Sequence, residues 1–261
     1  MCRPSSGIFP NLHVFPGGHL EQNDLDIAAS KYENFVICFI LNFRIDALKI
    51  CAVRETLEES GVWPFPGQIK TFDYDKNNFN SFLQTNKISL KSIFDSKIYP
   101  WINWRTPECK KIYPQQWDMQ MFVAILDECS TDSNFKSDES VEIIWIHIKD
   151  ALDRVNSCNM YLAPPQWFML KEMEKYESDA EFVNAVQSRK YPKFFQPTLV
   201  GSENSNILHS ILYNDKFHNN SKASIHNVSQ DEGPFHRIIM ERFEGHFQKF
   251  KLIEQRVRDL L

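Results

Sequence analysis

Apolar residues recur at helical spacing in the stretch that Asp46 opens and Gly61 closes. Ile50, Val53 and Leu57 fall on one stripe when successive residues are placed about 100° apart, so this stripe is the expected core face of an amphipathic helix. Asp46 is a suitable N-cap, and Gly61 is a suitable stop because glycine readily adopts the left-handed conformation that ends helices. The pattern therefore predicts a helix between these two signals.

Short apolar runs and polar stretches alternate along the rest of the chain. The pattern predicts strands at residues 12–15, 68–72, 141–148 and the end of 112–126, two short helical pieces within 77–94, a helix opening at the prolines 164 and 165, and another near 179–189. A polar stretch at 216–233 is predicted to be a solvated loop. Without an internal repeat or a clear linker, one domain with a carboxyl-terminal extension is the simplest interpretation.

Charge and cysteine content exclude several classes of protein. The 261 residues carry a formal net charge of −5, which argues against nucleic-acid binding through a basic face. The six cysteines lie far apart without a C-x-x-C pair, so we expect reduced thiols in an intracellular compartment. The longest apolar run, near residues 35–43, is too short to span a membrane, and the first ten residues lack the apolar segment of a signal peptide.

Three carboxylates crowd the opposite side of the helix. Glu55, Glu58 and Glu59 fall within a narrow arc, because residues three and four apart are neighbours on a helix. One interpretation is a solvated acidic face. The other is a site for Mg²⁺ or Mn²⁺, since hard divalent ions take oxygen ligands and convert the mutual repulsion into binding.

The sequence around these carboxylates favours the metal site over the solvated face. "RETLEESGV", residues 54–62, matches the second half of the Nudix box, R-E-U-x-E-E-x-G-U, with Thr56 at the weak hydrophobic position. The Pro-Gly-Gly turn that begins the box is found at Gly17–Gly18, so the box is split by an insertion of about residues 22–45. Counting back from Arg54 places Asp46 at the acidic position of the box, although a helix N-cap explains Asp46 equally well.

The chain thus resembles the Nudix hydrolases of the nucleoside diphosphate-linked moiety X motif 19 type, acyl-coenzyme A diphosphatases whose Nudix box carries a long insertion. The segments "HVFPGG", "ICAVRETLEESGV", "WINWRTP", "QQWDMQMFVAIL" and "YLAPPQWF" carry the resemblance. It implies an α/β fold, the Nudix α/β/α sandwich with a mixed sheet, over residues 1–170. Residues 171–261 are then an extension of helices and short strands.

The resemblance also implies a role for particular residues. Glu55 and Glu59 would be the principal metal ligands, Glu58 would assist them, the carbonyl of Gly18 would complete the metal site, and Arg54 would brace the glutamates. The residues that would contact substrate are Gly17, Gly18, Trp104 and Arg105. Trp101 would provide a second ring for stacking on adenine. For both tryptophans, packing in the core is the alternative role. The catalytic base would be a carboxylate outside the box, with Glu139 and Glu142 as candidates and rim charges as the alternative. Cys51 is expected to be a packing residue.

The start of the chain differs from the pattern of the family that the chain resembles. Nudix folds place a strand pair before the box, and residues 1–11 are too short and polar to supply it. Two explanations stay open: the amino-terminal strands are missing from this start, or a different element completes the sheet. The end of the chain, "RVRDLL", does not fit a peroxisomal tripeptide. Peroxisome and mitochondrion follow from the resemblance, and cytoplasm is the third location left open.

The predicted activity is the metal-dependent hydrolysis of a pyrophosphate bond. The substrate implied by the resemblance is coenzyme A or an acyl-coenzyme A, cut into adenosine 3′,5′-bisphosphate and a phosphopantetheine. A second hypothesis changes the substrate to NADH, ADP-ribose or capped RNA, and a third is a non-catalytic remnant. The oligomeric state is left open by the sequence.

Overall fold

The computed structural model describes most of the chain. Its described residues are 1–6, 10–32, 39–65, 69, 79–109, 115–126, 130–131, 142–188, 193–201, 206–218, 236–243 and 246–254. They divide into two compact units. The first unit comprises Met1–Pro4, Phe15–Pro100 and Phe122–Ile143, and the second comprises Ser5–Val14, Trp101–Met121 and Ile144–Leu261. The domain boundary near residue 170 stays a prediction.

The chain has the predicted α/β class, with helices and a mixed sheet. In chain order the elements are α1 (Gln22–Ser30), α2 (Phe39–Ser60), β1 (Val62–Trp63), α3 (Phe79–Thr85), α4 (Leu90–Phe94), β2 (Ile98–Arg105), β3 (Asp118–Ala124), β4 (Ser130–Thr131), α5 (Ile148–Asn156), α6 (Pro164–Glu174), α7 (Asp179–Ser188), β5 (Lys193–Phe195), β6 (Thr198–Val200), β7 (Ile207–Ile211), β8 (His236–Phe243) and β9 (His246–Glu254). No helix in these ranges is long and apolar enough to cross a membrane.

Helix α2 is the central element of the first unit. Its predicted stripe of Ile50, Val53 and Leu57 is buried, at 0%, 1% and 3% exposure. The stripe packs in a core cluster with Ile27, Trp63, Phe65, Phe79, Phe82, Leu83, Ile93 and Ile98. The helix ends where predicted, because Gly61 adopts a φ of 62° and donates its N–H to the carbonyl of Leu57.

The start of α2 differs from the prediction. The helix begins at Phe39, so Asp46 lies in its interior and is not an N-cap. The carboxylate of Asp46 instead accepts hydrogen bonds from Lys31 Nζ at 2.6 Å and Tyr32 Oη at 2.5 Å. These contacts attach the chain just after α1 to α2.

A helix, α1, occupies the first part of the inserted segment. Its start is held by a capping box in which Asp24 accepts the backbone N–H of Glu21 at 3.0 Å. Ile27 and Ala28 are buried and Asp24 is fully buried, so α1 packs through this face on α2. This segment therefore contributes a packed element and a buried acid beside α2.

The second unit contains longer strands than the extension was predicted to have. Strand β2 pairs in parallel with β5, in a sheet of order β3-β2-β5, with Trp104 opposite Phe195. A second sheet has the order β6-β7-β8-β9 with antiparallel pairing throughout. Its last two strands have eight and nine residues, not the short strands expected.

Two predicted strands are wrong. In residues 12–15 only His13 pairs, through a single parallel bridge to Leu162. Of the described residues 142–148, only Glu142 pairs, through a single bridge to Cys2, and Ile148 already begins α5. Trp145 is 71% exposed, and none of the described residues 142–148 is buried or belongs to a strand.

Other predictions agree with the described elements or lie beyond them. The strand predicted at the end of 112–126 is found as β3, and the two helical pieces predicted within 77–94 are found as α3 and α4. The helices predicted from 164 and near 179 are found as α6 and α7. The strand at 68–72 lies outside the described residues except for Ile69, and so does the loop at 216–233 beyond residue 218.

Candidate functional site

A buried ion pair joins α1 to α2. Arg54 Nε donates to Asp24 Oδ1 at 3.0 Å, and Arg54 Nη2 donates to Asp24 Oδ2 at 3.0 Å. Asp24 is 0% exposed and Arg54 is 1% exposed. This bidentate geometry matches the planar guanidinium to the carboxylate and fixes the position of Arg54.

The other edge of the guanidinium faces the carboxylates of α2. Arg54 Nη1 lies 3.0 Å from Glu58 Oε2 and 3.0 Å from Glu55 Oε1. Burial alone would lower the pKa of Arg54, but the hydrogen bond and charge of Asp24, followed by the charges of Glu55 and Glu58, raise it above its usual value. Arg54 therefore braces the glutamates as a permanent cation.

The glycine turn lies directly against two of these glutamates. The backbone N–H of Gly17 donates to Glu59 Oε2 at 2.7 Å. A Cβ built on Gly18 would lie 2.4 Å from Oε1 and 2.8 Å from Oε2 of Glu55, whereas one built on Gly17 would meet nothing within 4 Å. Only a residue without a side chain can occupy position 18 while Glu55 keeps its place.

Two of the three carboxylates in the acidic arc are buried, and Glu58 is half-buried. Glu55 and Glu59 are 9% and 7% exposed. Burial raises the pKa of Glu55, and the charge of Glu58 adds to this effect while Arg54 opposes it. A cation bound beside Glu55 would favour its charged form, so the electrostatics of the arc suit a positively charged ligand.

The donor chemistry fits a hard divalent cation. Three carboxylates, with the carbonyl predicted for Gly18, are the oxygen donors that Mg²⁺ and Mn²⁺ prefer, and the missing side chain at Gly18 lets the Glu55 carboxylate lie against the turn. Across the described ranges, no three acidic, histidine or cysteine side chains converge on one metal position. Glu55 and Glu58 instead contact Arg54, and Glu59 contacts Gly17. The metal roles of Glu55, Glu58, Glu59 and Gly18 accordingly stay predictions.

Asp24 was missed by the sequence interpretation, which put Asp46 at the acidic position of the box. Asp46 lies in the middle of α2 and contacts Lys31 and Tyr32, whereas Asp24 contacts the box arginine. The signal was present: counting six positions forward from Gly18 reaches Asp24, whereas counting back from Arg54 crosses the insertion. Asp24 lies in α1, the helix that contacts the second half of the box through Arg54.

The proposed stacking residues belong to the core of the second unit. Trp101 and Trp104 are 0% and 2% exposed. The ring of Trp104 packs against Phe168 and Phe195, and that of Trp101 packs against Tyr176 and Phe182. No face of either ring is open to adenine, which corrects the substrate role assigned to Trp104 and agrees with the packing alternative.

Arg105 is the accessible member of the same motif. Its Nη2 donates to Asp118 Oδ2 at 2.8 Å, and the guanidinium lies over the ring of Phe194 at 5.6 Å from the centroid. The arginine side chain is 39% exposed, so it is available to an anion. Its role in substrate binding stays a prediction.

The remaining candidates are the two possible catalytic bases, Glu139 and Glu142, and the packing residue Cys51. Glu142 is exposed and its backbone pairs with Cys2, and Glu139 lies outside the described residues. Cys51 is buried and contacts the carbonyl of His19, and burial together with Asp24 raises the pKa of its thiol to about 12. A thiol with this pKa is protonated at neutral pH, as a packing residue requires.

Sequence comparison finds two relatives that are described as Nudix hydrolases or as acyl-coenzyme A diphosphatases of that kind. No family model matches the chain. The chain is 23% identical over 300 aligned positions to acyl-coenzyme A diphosphatase NUDT19 of Xenopus laevis, covering 90% of this chain and 78% of the relative. It is 24% identical over 201 positions to a Caenorhabditis elegans protein described as nudix hydrolase 7, covering 75% and 61%. A solved Nudix hydrolase from Alicyclobacillus acidocaldarius is 20% identical and covers 65% of this chain and 79% of its own, with a TM-score of 0.45. The sequence matches confirm the resemblance to Nudix hydrolases.

Proposed function

We propose that this chain is a Nudix hydrolase related to the acyl-coenzyme A diphosphatases, and that it hydrolyses the pyrophosphate bond of coenzyme A or its acyl esters. The products would be adenosine 3′,5′-bisphosphate and phosphopantetheine or its acylated form. The proposal includes a requirement for Mg²⁺ or Mn²⁺.

The observation that carries the proposal is the buried pairing of Asp24 with Arg54. The pair fixes one edge of the guanidinium, so the other edge holds Glu55 and Glu58 at 3.0 Å. A network of this kind, with a fully buried ion pair, costs desolvation energy that a purely solvated acidic surface would not incur. A network that costs this desolvation energy supports a role in ordering the carboxylates for hydrolysis.

Each residue has a distinct part in the proposal. Glu55 and Glu59 would hold the cation with help from Glu58 and the Gly18 carbonyl. Bound divalent cations neutralise a diphosphate and lower the pKa of an attacking water. The Gly17 N–H positions Glu59, and the absence of a side chain at Gly18 leaves Glu55 room beside the turn.

A substrate panel tests the proposal. Purified protein with Mg²⁺ or Mn²⁺ is incubated with coenzyme A, an acyl-coenzyme A, NADH and ADP-ribose, and the products are resolved by chromatography. We expect adenosine 3′,5′-bisphosphate from the first two, at a higher kcat/KM than for the others. Preferential cleavage of NADH or ADP-ribose would favour the second hypothesis, and a folded sample inactive on the whole panel would favour the non-catalytic one.

A further inference from the structure

A carboxylate that the sequence did not single out lies beside the predicted ligands. Glu21, the residue immediately before α1, has its Oε1 3.7 Å from Arg54 Nη1. The same nitrogen lies 3.0 Å from Glu55 Oε1 and 3.0 Å from Glu58 Oε2. Oxygens of three carboxylates therefore surround one nitrogen of Arg54, and Glu21 comes from outside the half of the box that supplies the other two.

The backbone of Glu21 is attached to α2 through Asp24. The N–H of Glu21 donates to Asp24 Oδ2 at 3.0 Å, and the same oxygen accepts a hydrogen bond from Arg54 Nη2 at 3.0 Å. Because Asp24 is fully buried, this pairing fixes its carboxylate. Glu21 is thus held beside the glutamates by the same buried pair that fixes Arg54.

The charges around Arg54 are not balanced. Its guanidinium contacts Glu21, Asp24, Glu55 and Glu58, so one positive charge faces four negative charges. Burial is the main cause of the raised pKa of Glu55, Arg54 opposes it, and the charges of Glu58 and Glu21 add to it. A divalent cation shared by these carboxylates would neutralise most of the excess charge.

Glu21 is the solvent-facing carboxylate of this group. Its side chain is 56% exposed, whereas those of Glu55 and Glu58 are 12% and 13% exposed. Mg²⁺ loses its waters reluctantly and usually keeps several of them when it binds to a protein. An accessible carboxylate beside buried ones suits an ion that stays partly hydrated.

We propose that Glu21 is a further ligand of the divalent cation, which it binds together with the glutamates of α2. The inference rests on the metal requirement in the proposed function and deepens it, because it names a ligand outside α2. Glu21 contributes to binding the cation and not to the hydrolytic step. An excess of cation should therefore restore the activity that is lost when the charge of Glu21 is removed.

The test compares Glu21→Gln with Asp26→Asn. The first substitution removes a charge at constant shape and keeps the backbone N–H that Asp24 accepts. The second removes a charge from an exposed side chain of α1 that accepts a hydrogen bond from Gln22. Mn²⁺ binding is measured by titration calorimetry without substrate, and melting temperatures confirm that both variants are folded. Activity on coenzyme A is then measured as a function of Mn²⁺ concentration.

We expect the Kd of Mn²⁺ to rise roughly tenfold in Glu21→Gln, which is the size of effect found when a group that supports a metal site is removed. Asp26→Asn should stay within about twofold of the wild type, because salt screens exposed charges. In Glu21→Gln, the Mn²⁺ concentration that gives half-maximal activity should rise by the same factor as the Kd. Its kcat at saturating Mn²⁺ should be close to that of the wild type.

The outcomes separate this inference from the proposed function. An Mn²⁺ affinity of Glu21→Gln equal to that of the wild type or of Asp26→Asn would overturn the inference alone. If Glu21→Gln weakens Mn²⁺ binding in a protein that cleaves neither coenzyme A nor its acyl esters, the proposed substrate fails and the inference stands. A folded wild type that takes up no Mn²⁺ would defeat both the metal requirement and the inference.

Discussion

Asp24 and Arg54, separated by 30 residues in sequence, form a bidentate ion pair that is almost completely buried. Changing Asp24 to Asn keeps the shape of the side chain but leaves the Arg54 charge without its buried partner. We expect the free energy of unfolding to fall by about 3 kcal/mol or more, since breaking a buried pair leaves an uncompensated charge. Urea denaturation measures this change.

The matched control is Asp95→Asn, which breaks the exposed pair of Asp95 with Lys91. Surface pairs of this kind contribute little, so the control should unfold at the wild-type midpoint. If Asp24→Asn unfolded at that same midpoint, another carboxylate would have to compensate the charge of Arg54. The Asp24–Arg54 pair would then not be central to stability.

Gly18 and Gly17 provide a paired test of the turn. Gly18→Ala places a methyl group 2.4 Å from Glu55 Oε1, so the carboxylate has to move. We expect kcat/KM for the coenzyme A substrate proposed above to fall roughly a hundredfold, because displacing a catalytic group by about 1 Å lowers the rate by a factor of this size. Gly17→Ala keeps the N–H that Glu59 accepts and meets no atom, so its loss should be much smaller. Equal losses at the two positions would argue against steric displacement of Glu55.

Glu59 is tested by removing its charge at constant shape. Glu59→Gln can still accept the Gly17 N–H, so the fold should persist, with its melting temperature near that of the wild type. We expect Mn²⁺ binding, measured by titration calorimetry, to weaken and kcat to fall roughly a hundredfold. Glu174→Gln, at an exposed surface pair with Lys171, is the control with full activity. Unaltered Mn²⁺ affinity in Glu59→Gln would remove Glu59 from the ligand set.

Local patterns explain which parts of this structure could be predicted from sequence. The stripe of Ile50, Val53 and Leu57 and the stop at Gly61 depend on spacing within one helix, and both are found. The run at 141–148 has strand-like composition, but a strand needs a partner that the run itself does not specify. Trp145 in this run is therefore exposed and not packed against a neighbouring strand.

The candidate site was predictable only where its residues are contiguous. Glu55 and Glu59 were selected from the box, and the structure places both side chains beside the glycine turn. Asp24 reaches Arg54 only because α1 folds back on α2, which no spacing rule across an insertion can specify. Trp104 looked available for stacking because its covering rings, Phe168 and Phe195, lie more than sixty residues further along the chain.

His209 makes stability depend on pH in the second unit. It is 4% exposed, and burial together with the positive charge of Arg237 lowers its pKa from 6.5 to about 4. Because the unfolded chain binds the proton more readily, stability is full above pH 6.5 and falls as the pH decreases toward 4. We expect a loss of roughly 3 kcal/mol from this group at pH 4 relative to pH 7. Urea denaturation at several pH values should show a shallower pH dependence for His209→Leu. A slope unchanged by this substitution would assign the acid sensitivity to other groups.

Cys158 ends α5 in a conformation that suits glycine better. It has a φ of 58°, its N–H donates to the carbonyl of Val155, and the next N–H, that of Asn159, donates to the carbonyl of Arg154. A left-handed residue at this place strains any side chain with a Cβ, so Cys158→Gly should stabilise the protein by about 1 kcal/mol despite the greater freedom of glycine in the unfolded chain. Cys158→Ala keeps the Cβ and should give no such gain, which separates relief of backbone strain from loss of the thiol. Thermal unfolding of both variants under reducing conditions measures the difference, and equal melting temperatures for the glycine and alanine variants would show that the backbone at Cys158 is unstrained.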